Sequence, residues 1–230
     1  MAQKKIMCLS LGGSIISRDT GVNVEYSKKL SGLIDHFRDK YKFIIVVGGG
    51  YASRLYIQST KNIIENNSLL DQVGIAFTRI NALILKDLLG NLSVYPNVIT
   101  SLEELKNSLS MNDIVVLGGL LPGISTDAVS VLACEVTNSK LLINVSSTSY
   151  VYDKPPSEEG ARKLKSLTHE QLVELAYKYD QREAGSHFIL DLVASKLAKR
   201  SKIEIRFVDD NIENLYAAIE GREHNGTTVK

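Results

Sequence analysis

A chain of 230 residues, 44% hydrophobic and 23% charged, has the composition of a globular protein and the length of one large or two modest domains. Its formal net charge of +1 removes the electrostatic case for a nucleic-acid or acidic-membrane partner. Two cysteines, Cys8 and Cys134, read as buried small hydrophobes, and neither a signal peptide nor an apolar run of spanning length stands out, so the expected setting is the cytoplasm, with no membrane.

The first predicted element is the apolar strand Ile6-Met-Cys-Leu-Ser-Leu11, ended by Gly12, Gly13 and Ser14. After a polar loop, Leu30, Leu33, Ile34 and Phe37 recur at helical spacing within 26–38, which implies a crossover helix. Phe43-Ile-Ile-Val-Val47 then reads as a strand buried on both faces, and Gly48, Gly49 and Gly50 follow where it ends. A helix-compatible segment begins at Tyr51 with Arg54 in its first turn and runs to about Glu65.

Residues 69–89 are long and periodic, with Val73, Phe77, Ile80, Leu83, Ile84 and Leu88 as the expected buried stripe. Asp71, Thr78 and Asn81 are odd choices for a helix that only packs, unless they form a solvated face. A short strand is expected within 93–100, and Ser101-Leu-Glu-Glu104 is a capping box. Ile114-Val-Val-Leu-Gly-Gly119 is the third glycine-rich strand end, leading to a helix start at Thr126 or Asp127. A further buried strand spans 140–145.

Beyond it the polar, aromatic and proline-bearing stretch 146–157 and the charged stretch 157–165 read as an exposed hairpin or loop. Thr168-His-Glu-Gln171 caps another helix, and a helix over 190–200, a strand over 203–208 and a helix over 211–219 close the chain. We read one domain, 1–230, with a boundary near 137 between an N-terminal half, 1–137, and a C-terminal half, 138–230, of one continuous sheet.

Three strands thus end in glycine. In an open, mostly parallel sheet the carboxyl ends of the strands form one rim, where ligands bind. Unpaired N–H donors at a helix start, with the Arg54 guanidinium beside them, suit an anion of phosphate shape. A glycine turn that merely packs helix on strand is the plainer alternative.

Taken together, Ser10-Leu-Gly-Gly-Ser14, Val47-Gly-Gly-Gly50 with Arg54, Asp71-Gln-Val-Gly74 with Thr78 and Asn81, Gly118-Gly119 to Asp127, and His224-Asn-Gly-Thr-Thr228 resemble the amino-acid kinase superfamily, most closely the archaeal type of uridylate (UMP) kinase. The resemblance spans nearly the whole chain. It implies an α/β, three-layer αβα sandwich around a mainly parallel sheet, and in-line transfer of the γ-phosphoryl group of ATP to UMP with Mg²⁺. It also implies a homohexamer and feedback by UTP at the acceptor site.

By the same resemblance, Gly49, Asp71 and the loop Gly119-Leu120-Leu121-Pro122-Gly123-Ile124-Ser125 fall on UMP-binding positions, with Asp71 accepting from the ribose hydroxyls. Gly13, Ser14, Gly50, Arg54, Asn144, Tyr150 and Asp153 fall on ATP-side positions. Asp127, Arg54 and Ser14 would carry catalysis, Asp127 by orienting cationic partners or the metal and not by taking a proton. Thr126 and Asp127 match a Thr-Asp pair facing the transferred group.

The chain departs from the superfamily at three places. Ser10 stands where a lysine is common, so charge neutralisation falls to Mg²⁺, Arg54, Arg79 or a lysine from elsewhere. Ser146-Ser-Thr-Ser-Tyr150 replaces Val-Asp-Gly-Val-Tyr beside the adenine pocket, and Ser125 replaces a threonine. Two other readings stay open: a small acceptor such as acetylglutamate, carbamate or isopentenyl phosphate, or a nucleotide-binding regulator without catalysis. None of the histidines His36, His169, His187 and His224 falls in a glycine-rich strand end, which argues against isopentenyl phosphate.

Overall fold

Strands apolar on both faces need helices above and below, and this chain supplies the two in alternation. The computed structural model, which describes residues 3–90, 92–179 and 190–230, begins with β1 (Lys5–Leu11), α1 (Gly13–Ile16), β2 (Ser17–Arg18), β3 (Gly21–Val22), α2 (Val24–Phe37) and β4 (Tyr41–Val47). It continues through α3 (Gly50–Thr60), α4 (Asn67–Leu88), α5 (Leu102–Met111), β5 (Ile114–Leu117), α6 (Thr126–Thr137) and β6 (Leu141–Val145). A hairpin of β7 (Val151–Tyr152) and β8 (Lys163–Leu164) precedes β9 (Ser166–Leu167), α7 (His169–Tyr179), α8 (Leu192–Ser201), β10 (Glu204–Val208), α9 (Ile212–Glu220) and β11 (Gly226–Val229).

The main sheet has the order β5-β4-β1-β6-β10-β11-β9. From β5 to β10 every neighbouring pair is parallel, and the antiparallel pairing of β10 with β11 reverses the sheet at one edge. Alternate side chains of the central strands feed two cores, as the period-2 pleat requires. Met7, Leu9, Leu11, Phe43, Ile45 and Val47 pack with residues of α2, α4 and α9. Cys8, Ile44, Val46 and Leu117 face the opposite layer of α5, α6, α7 and α8. The expected αβα sandwich is the fold observed, and both cysteines are free and buried.

Helix ends follow local chemistry. Thr168 and Gln171 form the complete capping box at α7, each side chain accepting from the other residue's backbone N–H, at 3.2 and 2.8 Å. Ser101 caps α5 through Glu104 N, while Glu104 reaches back one residue further than expected, to Thr100 N.

Three expectations need correction. On α4 the buried residues are Thr78, Asn81, Ala82 and Leu85, whereas Ile80 and Leu83 of the expected stripe are exposed. The helix turns its polar residues inward because they bond the glycine turns. At 22 residues α4 is also long and apolar enough, by length and composition, to span a membrane, yet it lies along α3 and the sheet. Segment 93–100 makes only isolated bridges to β5, Val94 to Ile114 and Ile99 to Leu117, in place of a strand. On α2, Leu30, Leu33, Ile34 and Phe37 are buried in the protein's own core, as their helical spacing implies, while Val24 is exposed. His187 lies outside the described residues.

Candidate active site

The glycine turns after β1, β4 and β5 adjoin because those strands are sheet neighbours running in one direction. The first two dock main chain on main chain. A Cβ on Gly48 would lie 2.6 Å from Gly13 N, and one on Gly13 would collide with the backbone of Gly48 and Gly50. Gly50 also holds φ at +69°, which admits glycine far more readily than any other residue. These glycines therefore serve close backbone approach, as the plainer reading of the motif requires.

Helix α4 fastens the turns from one side. Asn81 Nδ2 donates to the carbonyls of Gly48 and Gly49, at 2.9 and 3.0 Å. Thr78 Oγ1 accepts from Gly119 N at 2.6 Å, and Arg79 Nε donates to Gly119 O at 3.2 Å. Asp71 Oδ2 accepts from Gly123 N at 2.7 Å, at the point where Gly123 takes φ +77°. Asp71, Thr78 and Arg79 are thus scaffolding for the loop 119–125, and Asn81 for the turn after β4, which no periodicity could reveal. Leu120 and Ile124 pack against the core below that loop, and Leu121 is exposed.

Asp127 sits in the first turn of α6, whose N-cap is Ser125. Ser10 and Asn144 are register partners on β1 and β6, so their side chains emerge side by side. Ser10 Oγ donates to Asp127 Oδ1 at 2.9 Å, and Asn144 Nδ2 donates to the same oxygen at 2.8 Å. Where the superfamily pattern offers a lysine, this chain uses two neutral donors to aim the carboxylate. Arg54 is half-buried and has no carboxylate partner among the described residues, so its guanidinium is available to an anion. Ser14, half-buried in α1, likewise has a hydroxyl without a partner there.

Tyr150 and Asp153 belong to the β7–β8 hairpin. Lys163 Nζ lies over the Tyr150 ring, 4.9 Å from its centre. Asp153 closes the hairpin: the Arg162 backbone N–H and guanidinium each donate to it at 2.9 Å, and they hold its carboxyl below the ordinary range. The His224 to Thr228 signature anchors that hairpin to the sheet. Thr227 Oγ1 accepts from Val151 N at 2.9 Å and donates to Leu164 O, while a Cβ on Gly226 would collide with Phe207 O.

Sequence reasoning missed Asp191. It caps α8 through Ala194 N and accepts the Ser125 hydroxyl, 66 residues away in the chain. Its only local signal is an N-cap aspartate before a helical run.

The chain matches the amino acid kinase family over residues 5–209. It is 35% identical over 222 residues to the uridylate kinase of Methanocaldococcus jannaschii, covering 96% of this chain and 97% of that protein. To the uridylate kinase of Methanopyrus kandleri it is 36% identical over 225 residues, covering 96% and 98%. The crystal structure of uridylate kinase from Archaeoglobus fulgidus superposes with a TM-score of 0.83 at 31% identity, covering 97% of this chain and 99% of that one. By sequence and by fold, the chain belongs to the amino acid kinase family.

Proposed function

We propose that this chain is a uridylate kinase, transferring the γ-phosphoryl group of ATP to UMP to give UDP and ADP. The observation that carries the reading is the convergence of three glycine turns on one rim beside a carboxylate held by Ser10 and Asn144. Its full-length likeness to proteins named uridylate kinase supports the choice of acceptor. Phosphoryl transfer asks for alignment and charge neutralisation more than covalent chemistry, and these residues suit that demand.

On this reading the loop 119–125, Gly49 and Asp71 hold UMP. Asp71 keeps one carboxylate oxygen for a ribose hydroxyl while the other accepts from Gly123 N. Gly13, Ser14, Gly50, Asn144 and the hairpin residues Tyr150 and Asp153 line the ATP side, and Arg54 reaches the phosphates. Asp127 orients the cationic partners and takes no proton, since a phosphate oxygen is already a competent nucleophile. Among the described residues no group of three His, Cys, Asp or Glu side chains could hold a metal ion. Asp127, together with the triphosphate of ATP, would hold Mg²⁺, which would supply charge neutralisation at the transferred group.

A homohexamer and UTP feedback belong to the same proposal. Tyr51, Leu55 and Tyr56 on α3, with Leu69, Ile80 and Leu83 on α4, form exposed apolar surface that supports self-association. A cytoplasmic location agrees with free cysteines and nucleotide substrates. A coupled assay of UMP, CMP and dUMP with Mg-ATP tests the function: turnover is expected with UMP, and none with any nucleoside monophosphate overturns it. Light scattering tests the assembly, which a monomer would refute.

A further inference from the structure

The loop 119–125 is held at three points. Two are bonds from α4, to Gly119 and Gly123. The third comes from the other half of the chain, where the caps of two helices bond each other. Ser125 Oγ accepts from Ala128 N at 3.0 Å as the cap of α6, and Asp191 Oδ1 accepts from Ala194 N at 3.0 Å as the cap of α8. The second oxygen of Asp191 accepts the Ser125 hydroxyl. At their far ends the same helices are joined by Arg200 Nη2 and Glu135 at 2.6 Å.

A capping carboxylate needs one oxygen for its helix, so the second is free to do other work. Here it fixes the last residue of the loop, two positions before Asp127. Movement of Ser125 would carry both the loop and the first turn of α6 with it.

We infer that Asp191 is a positioning residue: its bond to Ser125 sets the loop 119–125 and the Asp127 turn against α8, so the C-terminal half of the chain shapes the acceptor site in the N-terminal half. The kinetic part of this inference rests on the uridylate kinase reading. Asp191 touches no reacting atom in this scheme. It acts through Ser125, and its loss should appear in the acceptor KM and not in the donor KM.

Asp191→Ser separates the two jobs, because serine caps a helix well but is too short to cap α8 and reach Ser125 together. The variant should melt within a few degrees of the parent, raise the KM for UMP about tenfold, and leave the KM for ATP within about twofold. Asp191→Asn, whose Oδ1 still caps α8 while its Nδ2 has the reach to donate to Ser125 Oγ in reversed polarity, should restore the KM for UMP to within about threefold. In a Ser125→Ala background Asp191→Ser should add less than about twofold, since the shared bond is already gone. Equal effects in both backgrounds, parallel rises in both KM values, or an unchanged KM for UMP would each overturn the inference. If the parent turns over no nucleotide, the functional reading falls and amide exchange decides the positioning role alone. Faster exchange at Gly123 and Ala128 in Asp191→Ser supports it, and unchanged exchange refutes it.

Discussion

Ser10 Oγ and Asp127 Oδ1 are 2.9 Å apart, across 117 residues of chain. Asn144 bonds the same oxygen, so the carboxylate is aimed by a pair of neutral donors on adjacent strands. Removing one hydrogen bond to a charged group costs about 1.5–3 kcal/mol. Ser10→Ala should therefore lower kcat by about 10- to 100-fold with little change in Tm, read from steady-state kinetics and a thermal melt. An unchanged kcat would mean that Asn144 alone orients Asp127.

Arg54 should matter for a different reason. Its half-buried guanidinium has no carboxylate partner among the described residues, so truncation breaks no ion pair there. Arg54→Ala should slow turnover at least about tenfold while the urea midpoint stays put. A variant with full activity would reduce Arg54 to a surface charge.

Thr78 offers a test of the scaffold. It is 7% exposed and its hydroxyl accepts from Gly119 N. Thr78→Val keeps the shape and strands a buried N–H, a loss of about 1–3 kcal/mol in unfolding free energy, and it should also raise the KM for UMP. Urea denaturation read beside acceptor kinetics checks both. Lost stability with an unchanged acceptor KM would detach Gly119 from acceptor binding.

The Glu135–Arg200 pair predicts an acid-sensitive term. Burial pushes the Glu135 carboxyl up, but hydrogen bonds from Arg200 and Ser201 outweigh it and leave its pKa below the usual value. A carboxylate with a lowered folded-state pKa stabilises the fold above its unfolded pKa, near 4.3, and loses that contribution as pH falls through the lower folded value. Because Arg200 is largely exposed, the term is at most about 1 kcal/mol. Glu135→Gln should be less stable than the parent at pH 7, and the gap should narrow as pH falls through the lowered folded-state pKa in urea titrations.

Much of the fold was legible because its signals are local. Apolar runs marked β1, β4, β5 and β6, and Thr168 with Gln171 marked the start of α7 within four residues of sequence. The α4 stripe was misread because periodicity reports which residues are apolar and not which face meets the sheet. Ile80 and Leu83 look outward while Thr78 and Asn81 point in, since the unsatisfied donors and acceptors of the glycine turns lie on that side. The hairpin role of Thr227 was hidden for a similar reason: its partners, Val151 and Leu164, are remote in the chain.

By itself the sequence determined where strands stop, where helices are capped, and that three strand ends lack side chains, because each depends on a few consecutive residues. Only the tertiary structure decided that those ends touch, that Ser10 and Asn144 share one oxygen of Asp127, and that Asp191 meets Ser125. Such pairings carry no periodicity in the chain. They arise when packing of two cores on one sheet brings distant polar groups to a place where water is scarce and each needs a partner.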